Sequence, residues 1–556
     1  MADAPQQVAR LGTASSLQSA PRMRTPEEAA RTSSQVSGRS LNLLTEIDPE
    51  LIRGVSLDTA LGGWGQHWKT PDSGMFNVDP ENYQLSRPVD NFMSHDWHTS
   101  RWLKVVSMLV IFNSKPAALA TLLVSVLFGG IAIYAEFPRG HWLTIPGHAS
   151  FFITFFFWQR IRRLFRPQIT VFLDKLCIAQ HDDKLKEQGI LGLAAFLDRS
   201  KKLTIFWSPR YFSRLWCTYE LATFLRDGKR KPIEFMPLAW GLMIFLESAQ
   251  MHFQVLASRM LQAFAGSESG PVLLATGCVI LIALVMLPFV AYVGIGLMRS
   301  AAMLPGQLQG FSIRNAECFC CSNNHRHPDT GAWLQCDRKL VFKTLRQWYG
   351  DDCEEGETFL DNFDTQVRNR LRDEVLQGVL GAGMLHLEYT LSLVYVVYLP
   401  FLSYWMREVA RGPEEELAGW EMLGWSVKQV CKVAKHPIGG LMNMWLLVAA
   451  CKVGLSLTRH CSQSLAALAI SFPAICLASF VWMPFELLQS LTDETSVLML
   501  IPVLVYGALA SYLYKPRRYR AQDGRTEHAH SLSVDALKEM PKEEKEPKEA
   551  EDTLNV

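Results

Sequence analysis

The chain has 556 residues, and its 55 Lys and Arg nearly balance 54 Asp and Glu, giving a net charge of +1. That balance excludes the basic body of a nucleic-acid-binding protein. The length allows two or more domains, and a mean hydropathy of +0.07 with 20% charged residues averages two unlike populations, apolar runs and polar segments. Twelve cysteines are scattered, several inside apolar runs, so no disulfide framework is indicated.

In chain order, residues 1–42 are rich in Ala, Ser, Gln, Thr and Arg and read as a disordered arm, with no apolar core before Leu41 to act as a secretory signal. Residues 43–112 form an ordered lead-in with Gly- and Asp-rich loops, then a strand at Val89–Met93 and an amphipathic helix at His98–Phe112. Two uncharged runs follow, Pro116–Tyr134 and Trp142–Trp158, each near the length that crosses a bilayer. Lys104 and Lys115 precede them and Arg160, Arg162, Arg163 and Arg166 follow, so residues 113–167 read as a transmembrane hairpin with both ends in the cytoplasm.

The soluble pattern then resumes. Ile169–Leu173 is a short apolar run that delivers Asp174 to its carboxyl end. A polar loop, Gln180 to Gln188, leads to a helical pattern from Gly189 with Ile190, Leu193, Phe196 and Leu197 on one side. A second strand, Leu203–Trp207, ends at the turn signal Ser208-Pro209, and Ser213 is placed to cap a helix through Leu225. After a basic turn, Ile233–Met236 reads as one more strand. Strand, helix, strand, helix in so short a span predicts a doubly wound parallel α/β sheet.

The phrases VFLD, G-I-x-x-L and W-S-P-x-Y-x-S-R-L-W-C-x-x-E-L, in that order, resemble a Toll/interleukin-1 receptor (TIR) domain. VFLDKLCIAQHD is also similar to the opening of fungal heterokaryon-incompatibility (HET) domains, and Phe92-Met93-Ser94-His95-Asp96 resembles the first-strand motif of TIR domains. The match covers roughly Val89–Phe112 and Ile169–Trp240. It implies a flavodoxin-like sheet of the TIR type whose sequence is split by the hairpin, with its remainder in residues 168–265. In TIR domains that cleave NAD, the glutamate of the matching motif is catalytic, and that role falls on Glu220. Ser94, Asp96, Asp174 and Trp216 are then the expected substrate-binding residues. The loop Cys177–Gly189 matches one used for assembly, so self-association is implied.

Glu220 also stands out on its own chemistry. At helical spacing it shares a face with Trp216, Cys217 and Phe224, where an acid is costly unless paired or functional. Cleaving a nicotinamide–ribose bond develops an oxocarbenium-like cation that one carboxylate can stabilise. The alternatives are an acid that only maintains the fold of a scaffold or oligomerisation module, or a regulatory domain on a transporter or channel.

Beyond this unit, Pro271–Gly296 reads as a span, and residues 300–377 as a polar, partly helical segment. Cys318, Cys320, Cys321, His325, His327 and Cys336 in that segment form C-x-C-C-x3-H-x-H-x8-C, a set that suits zinc although it departs from paired C-x2-C knuckles; free thiols and surface histidines are the alternative. Within residues 379–514, further spans are expected at Val379–Tyr404, Ile438–Leu457, Leu465–Leu487 and Val497–Tyr514. Lys515-Pro516-Arg517-Arg518 predicts a cytoplasmic C-terminus, and residues 515–556 a charged disordered tail. Seven spans conflict with two cytoplasmic termini, so either Glu234–Ala249 also crosses or a later segment does not. The expected protein is an integral multi-pass membrane protein with the TIR-like domain and both termini in the cytoplasm, partnered by the bilayer and by copies of itself, and not by nucleic acid.

Overall fold

The computed structural model describes residues 51–69, 89–134, 141–178, 183–226, 231–265, 269–327, 331–334, 336–350, 357–372, 375–376 and 387–515. The expected arm 1–42, the tail beyond 515 and residues 179–182 of the expected assembly loop lie outside them. The chain is mostly helical, with one small mixed sheet.

Five strands make that sheet: β1 (Val55–Ser56), β2 (Asn91–His95), β3 (Thr170–Phe172), β4 (Lys202–Trp207) and β5 (Ile233–Pro237). They lie in the order β1-β3-β2-β4-β5. β3, β2, β4 and β5 run parallel, with Phe92 opposite Phe172 and Leu203, and Ile205 opposite Phe235. The strands expected around Phe92, Val171, Ile205 and Ile233 therefore share one parallel sheet although the hairpin separates the first two. The lead-in adds a strand that sequence reasoning missed, because β1 is only two residues long and antiparallel, pairing Val55 with Val171. Every residue of the central β2 is buried, the mark of a strand covered on both faces. Phe92 stacks on Phe172 with ring centroids 4.4 Å apart, and Phe172 meets Phe196 at 4.7 Å.

After β2 the chain enters α1 (Arg101–Tyr134), one helix of thirty-four residues. The sequence divided it at Pro116, which lies inside the helix. A proline removes one backbone bond, and packed apolar surroundings tolerate that loss. The first turns of α1 pack Val105, Met108 and Leu109 into the core, so one rod serves both the α/β unit and the hairpin. It returns as α2 (Ile145–Arg162). A buried amide pair joins the arms: Asn113 Nδ2 donates to the Phe155 carbonyl at 2.8 Å, and Gln159 Nε2 donates to Asn113 Oδ1 at 2.7 Å. Asn113→Leu should strand the Gln159 amide and cost about 1–2 kcal/mol, the range for hydrogen bonds between membrane helices. Thermal unfolding in detergent checks this, and a wild-type midpoint would show that the pair contributes nothing.

Among the described residues, four helices are long and apolar enough to cross a membrane: Arg101–Tyr134, Gly277–Gln309, Trp420–Leu457 and Gln463–Leu491. The pair Leu387–Tyr398 and Phe401–Arg411, bent by 56°, gives up to a fifth. This is the make-up of a multi-pass membrane protein; four of the seven expected spans, or five with the bent pair, meet that length and apolarity among the described residues, and residues 379–386 of the expected Val379–Tyr404 span lie outside them. The helix α2 ends in the polar run Gln159-Arg160-Ile161-Arg162, and Leu500–Leu513 has fourteen residues, about 21 Å of helix, short of a hydrocarbon core. The segment Glu234–Ala249 divides between β5 and the helix Leu238–Ala265, which falls outside the four. The hairpin and the bent pair meet at Gly147, where a Cβ would lie 2.8 Å from Pro400, so only glycine permits the approach.

Two local expectations change. The loop expected to run to Gln188 is helical over Asp183–Leu191. Ser213 does not cap the helix α3 (Leu215–Arg226); it lies in a 3-10 turn and its hydroxyl donates to the Arg210 carbonyl at 2.8 Å. The entry to α3 is fixed instead by the polar segment: Leu215 N donates to the Glu317 carbonyl at 3.0 Å, and Glu317 N to the Ser213 carbonyl at 2.5 Å. Helix α4 (Asp337–Tyr349) packs against α3, with Trp348 stacked on Tyr219 at 5.7 Å.

Candidate functional site

The carboxyl ends of β2 and β3 and the second turn of α3 converge on one small polar cluster. Ser94, fully buried near the end of β2, donates its hydroxyl to Glu220 Oε2 at 2.5 Å. The Tyr211 hydroxyl lies 2.6 Å from the same Ser94 oxygen. Glu220 is half-buried, and burial pushes its carboxyl up to about 8; the Ser94 hydrogen bond works against that rise and the charge on Asp174 adds to it. At neutral pH the side chain is therefore mostly protonated, an acid held neutral by its surroundings.

Asp174 lies two residues beyond the end of β3, at the start of the short helical turn Asp174–Cys177. Its Oδ2 accepts from Trp97 Nε1 at 2.9 Å and its Oδ1 from its neighbour's backbone, Lys175 N, at 2.7 Å. Burial raises its pKa, and those hydrogen bonds and the Lys104 charge hold it back. Lys104 is fully buried on α1; its Nζ donates to the Trp97 carbonyl at 3.4 Å and lies over the rings of Trp97 and Trp68 at 5.3 and 5.9 Å. His95 is packed between Trp68 and Trp97, with ring centroids 4.8 and 4.5 Å away, and burial holds it well below the ordinary histidine range, so it is a neutral wall residue.

Of the residues expected in the site, Ser94 and Glu220 are in direct contact, and Asp174 is near enough for its charge to act on Glu220. Asp96 is close by but engaged: it is buried, its Oδ1 accepts from His98 N at 3.2 Å, and Arg214 Nε lies 3.8 Å away. That pairing ties the end of β2 to the start of α3. Trp216 turns outward to the polar segment, where its Nε1 donates to Asp337 Oδ2 at 3.2 Å.

Sequence reasoning missed Tyr211, Lys104 and Trp68. Tyr211 stands in the quoted W-S-P-x-Y phrase, so its signal was present without a role. Lys104 counted only as a charge flanking the hairpin. Trp68 comes from the lead-in, where no chemistry was legible.

The cysteine segment forms a second cluster. One donor atom each from Cys320, Cys321, His325 and Cys336 lies within 4.8 Å of the others; a second group joins Cys318, Cys320 and Asp337. Cys321 Sγ is 3.8 Å from both His325 Nε2 and Cys336 Sγ, and 4.0 Å from Cys320 Sγ. His327, expected as a donor, falls outside both groups, its ring 6.5 Å from Phe319. Comparison of the chain with family models, with curated proteins and with solved structures finds no match.

Proposed function

We propose that this chain is a membrane-anchored signalling protein whose α/β unit is TIR-like and cleaves the nicotinamide–ribose bond of NAD with Glu220. The observation that carries the reading is the Ser94–Glu220 hydrogen bond at the carboxyl end of a parallel strand, within reach of the Asp174 charge. Numbered among themselves, the four parallel strands have the order 2-1-3-4, which is that of flavodoxin-type sheets. In such sheets ligands bind outside the carboxyl ends, where the strand order reverses. Here that point lies between β2, which carries Ser94, and β4, which leads into α3 and Glu220.

The chemistry fits a single carboxylate. As the C–N bond of the glycosidic link breaks, its electron pair leaves with the ring, which becomes neutral nicotinamide, and the ribose carbon becomes cationic. An ionised Glu220 opposite that carbon stabilises the cation, and water completes the hydrolysis to ADP-ribose and a proton. The positive ring of bound NAD also favours the ionised carboxylate. The hairpin joins the unit between β2 and β3, and the arginines after it favour a cytoplasmic side for that junction. Tethering in a bilayer raises the effective concentration of neighbouring units and so favours the self-association that the resemblance implies.

The test is nicotinamide release from NAD by the full-length chain in liposomes. Release that rises with protein density in the membrane supports the reading. No release at any density removes hydrolysis and leaves a non-enzymatic association module.

A second reading, a regulatory domain on a transporter or channel, has its own observation. A cavity of about 1110 Å³ opens among the helices and is lined by Arg259, Tyr398, Lys435, His436 and Glu486, among others. Lys435 Nζ there lies 2.7 Å from Glu486 Oε1 and 2.8 Å from Gln489 Oε1. Ionisable groups inside a helical membrane region mark ligand or ion paths. Solute or ion flux in the same liposomes, changed by Lys435→Met, separates this reading from the first.

A further inference from the structure

We propose that Cys320, Cys321, His325 and Cys336 hold one structural Zn²⁺, which fixes the polar segment against the helix that carries Glu220. This rests on the donor geometry alone and stands whether or not the α/β unit hydrolyses NAD. A tetrahedral zinc with bonds of about 2.3 Å to sulfur sets its ligands about 3.8 Å apart. The observed separations from Cys321 are 3.8 Å to His325 Nε2, 3.8 Å to Cys336 Sγ and 4.0 Å to Cys320 Sγ. The thiols are free and too far apart for a disulfide, which needs about 2.05 Å. Three soft thiolates and one imidazole select zinc over the hard cations calcium and magnesium.

The backbone is arranged for the same end. Asn324 and His325 both take left-handed conformations, with φ of 52° and 58°. Such conformations are disfavoured for residues with a side chain and persist where the surroundings require them. The turn they form is closed by His325 N donating to the Cys320 carbonyl at 2.7 Å and Leu334 N donating to the His325 carbonyl at 2.9 Å. The His325 ring stacks on Trp333 at 5.7 Å, which orients Nε2. Cys336 is the residue before helix α4, and Asp337 N donates to Cys320 Sγ at 3.3 Å, a hydrogen bond of the kind that supports a thiolate ligand. Asp337 also accepts from Trp216, so the ligand loop is tied directly to α3.

The experiment is metal analysis of the full-length chain purified in detergent from zinc-replete cells without chelator. About one zinc per chain is expected, falling below a tenth in Cys321→Ser and Cys336→Ser and unchanged in His327→Ala. Because a ligand variant can fail to fold, the wild-type chain is also stripped with a chelator and titrated with Co²⁺. Intense visible bands of tetrahedral thiolate-bound Co²⁺, saturating at one per chain and bleached by Zn²⁺, are the expected signature. Less than a tenth of a zinc per chain together with no such bands would overturn the proposal. Full zinc retention in Cys321→Ser, or zinc lost in His327→Ala, would overturn the donor assignment.

Discussion

Glu220→Gln should lower nicotinamide release by about a hundredfold or more while leaving the chain folded. The amide keeps the shape of the side chain and can still accept the Ser94 hydroxyl, now 2.5 Å from Oε2. What it loses is the charge opposite the developing cation, and removing one such group costs on the order of 10² to 10³ in rate. The pH profile gives a second, independent reading. With the Glu220 carboxyl pushed up to about 8, the free protein holds it protonated at lower pH. The kcat/KM for NAD should therefore rise about tenfold per pH unit up to about 8 and then level off. Stability runs the opposite way. Between the ordinary value of 4.5 and about 8 the folded state keeps a proton that the unfolded state has lost, so this group's contribution falls as pH rises through that window. Glu220→Gln cannot titrate and should equal or exceed the wild type in thermal stability above pH 8. Equal nicotinamide release from wild type and variant would end the catalytic assignment, and a flat profile between pH 6 and 8 would remove Glu220 as the group that must ionise.

What could be read in the sequence follows from what sequence patterns encode. Apolar β-branched runs bounded by turn residues gave β2 to β5 to within a residue or two, because such runs satisfy only a buried strand. The two-residue β1 has no such pattern; its pairing comes from the lead-in folding back over Val171. Ser94 and Glu220, which the structure hydrogen-bonds, were singled out by the motif resemblance and, for Glu220, by an acid set on an apolar helix face. The place of Trp216 was not legible, since helical spacing gives neighbours on a face and not what that face meets: α3 is flanked by the sheet on one side and by the cysteine segment, more than a hundred residues later, on the other. Nor can apolar length alone tell a continuous rod such as Arg101–Tyr134, which carries Pro116, from a pair bent by 56° at Leu399-Pro400.

Trp68→Ala should destabilise the α/β unit by about 3–5 kcal/mol, the usual cost of truncating a buried tryptophan. Trp68 is fully buried, and its indole N–H donates to the Ala60 carbonyl at 2.8 Å, so truncation opens a cavity and strands a backbone acceptor. Its ring meets His95 at 4.8 Å and Phe206 at 5.9 Å, and the Lys104 ammonium lies over it. Removing the ring leaves that buried cation one aromatic face fewer and loosens the end of β2, which carries Ser94. The short lead-in then keeps as anchors the two-residue pairing of β1 with β3 and the close approach of Gly65, at φ +76°, to Val105. Trp64 provides the control. It lies four residues earlier in the same lead-in but is 50% exposed, with edge contacts to Phe156 and Phe157 at 5.9 and 6.5 Å, so Trp64→Ala should cost less than about 1 kcal/mol. Hydrogen exchange of the β2 and β3 amides in detergent measures both. Protection lost in Trp68→Ala and kept in Trp64→Ala is the expected result. Equal protection in the two would mean that the lead-in does not brace the sheet, and that the wall behind Ser94 stands without it.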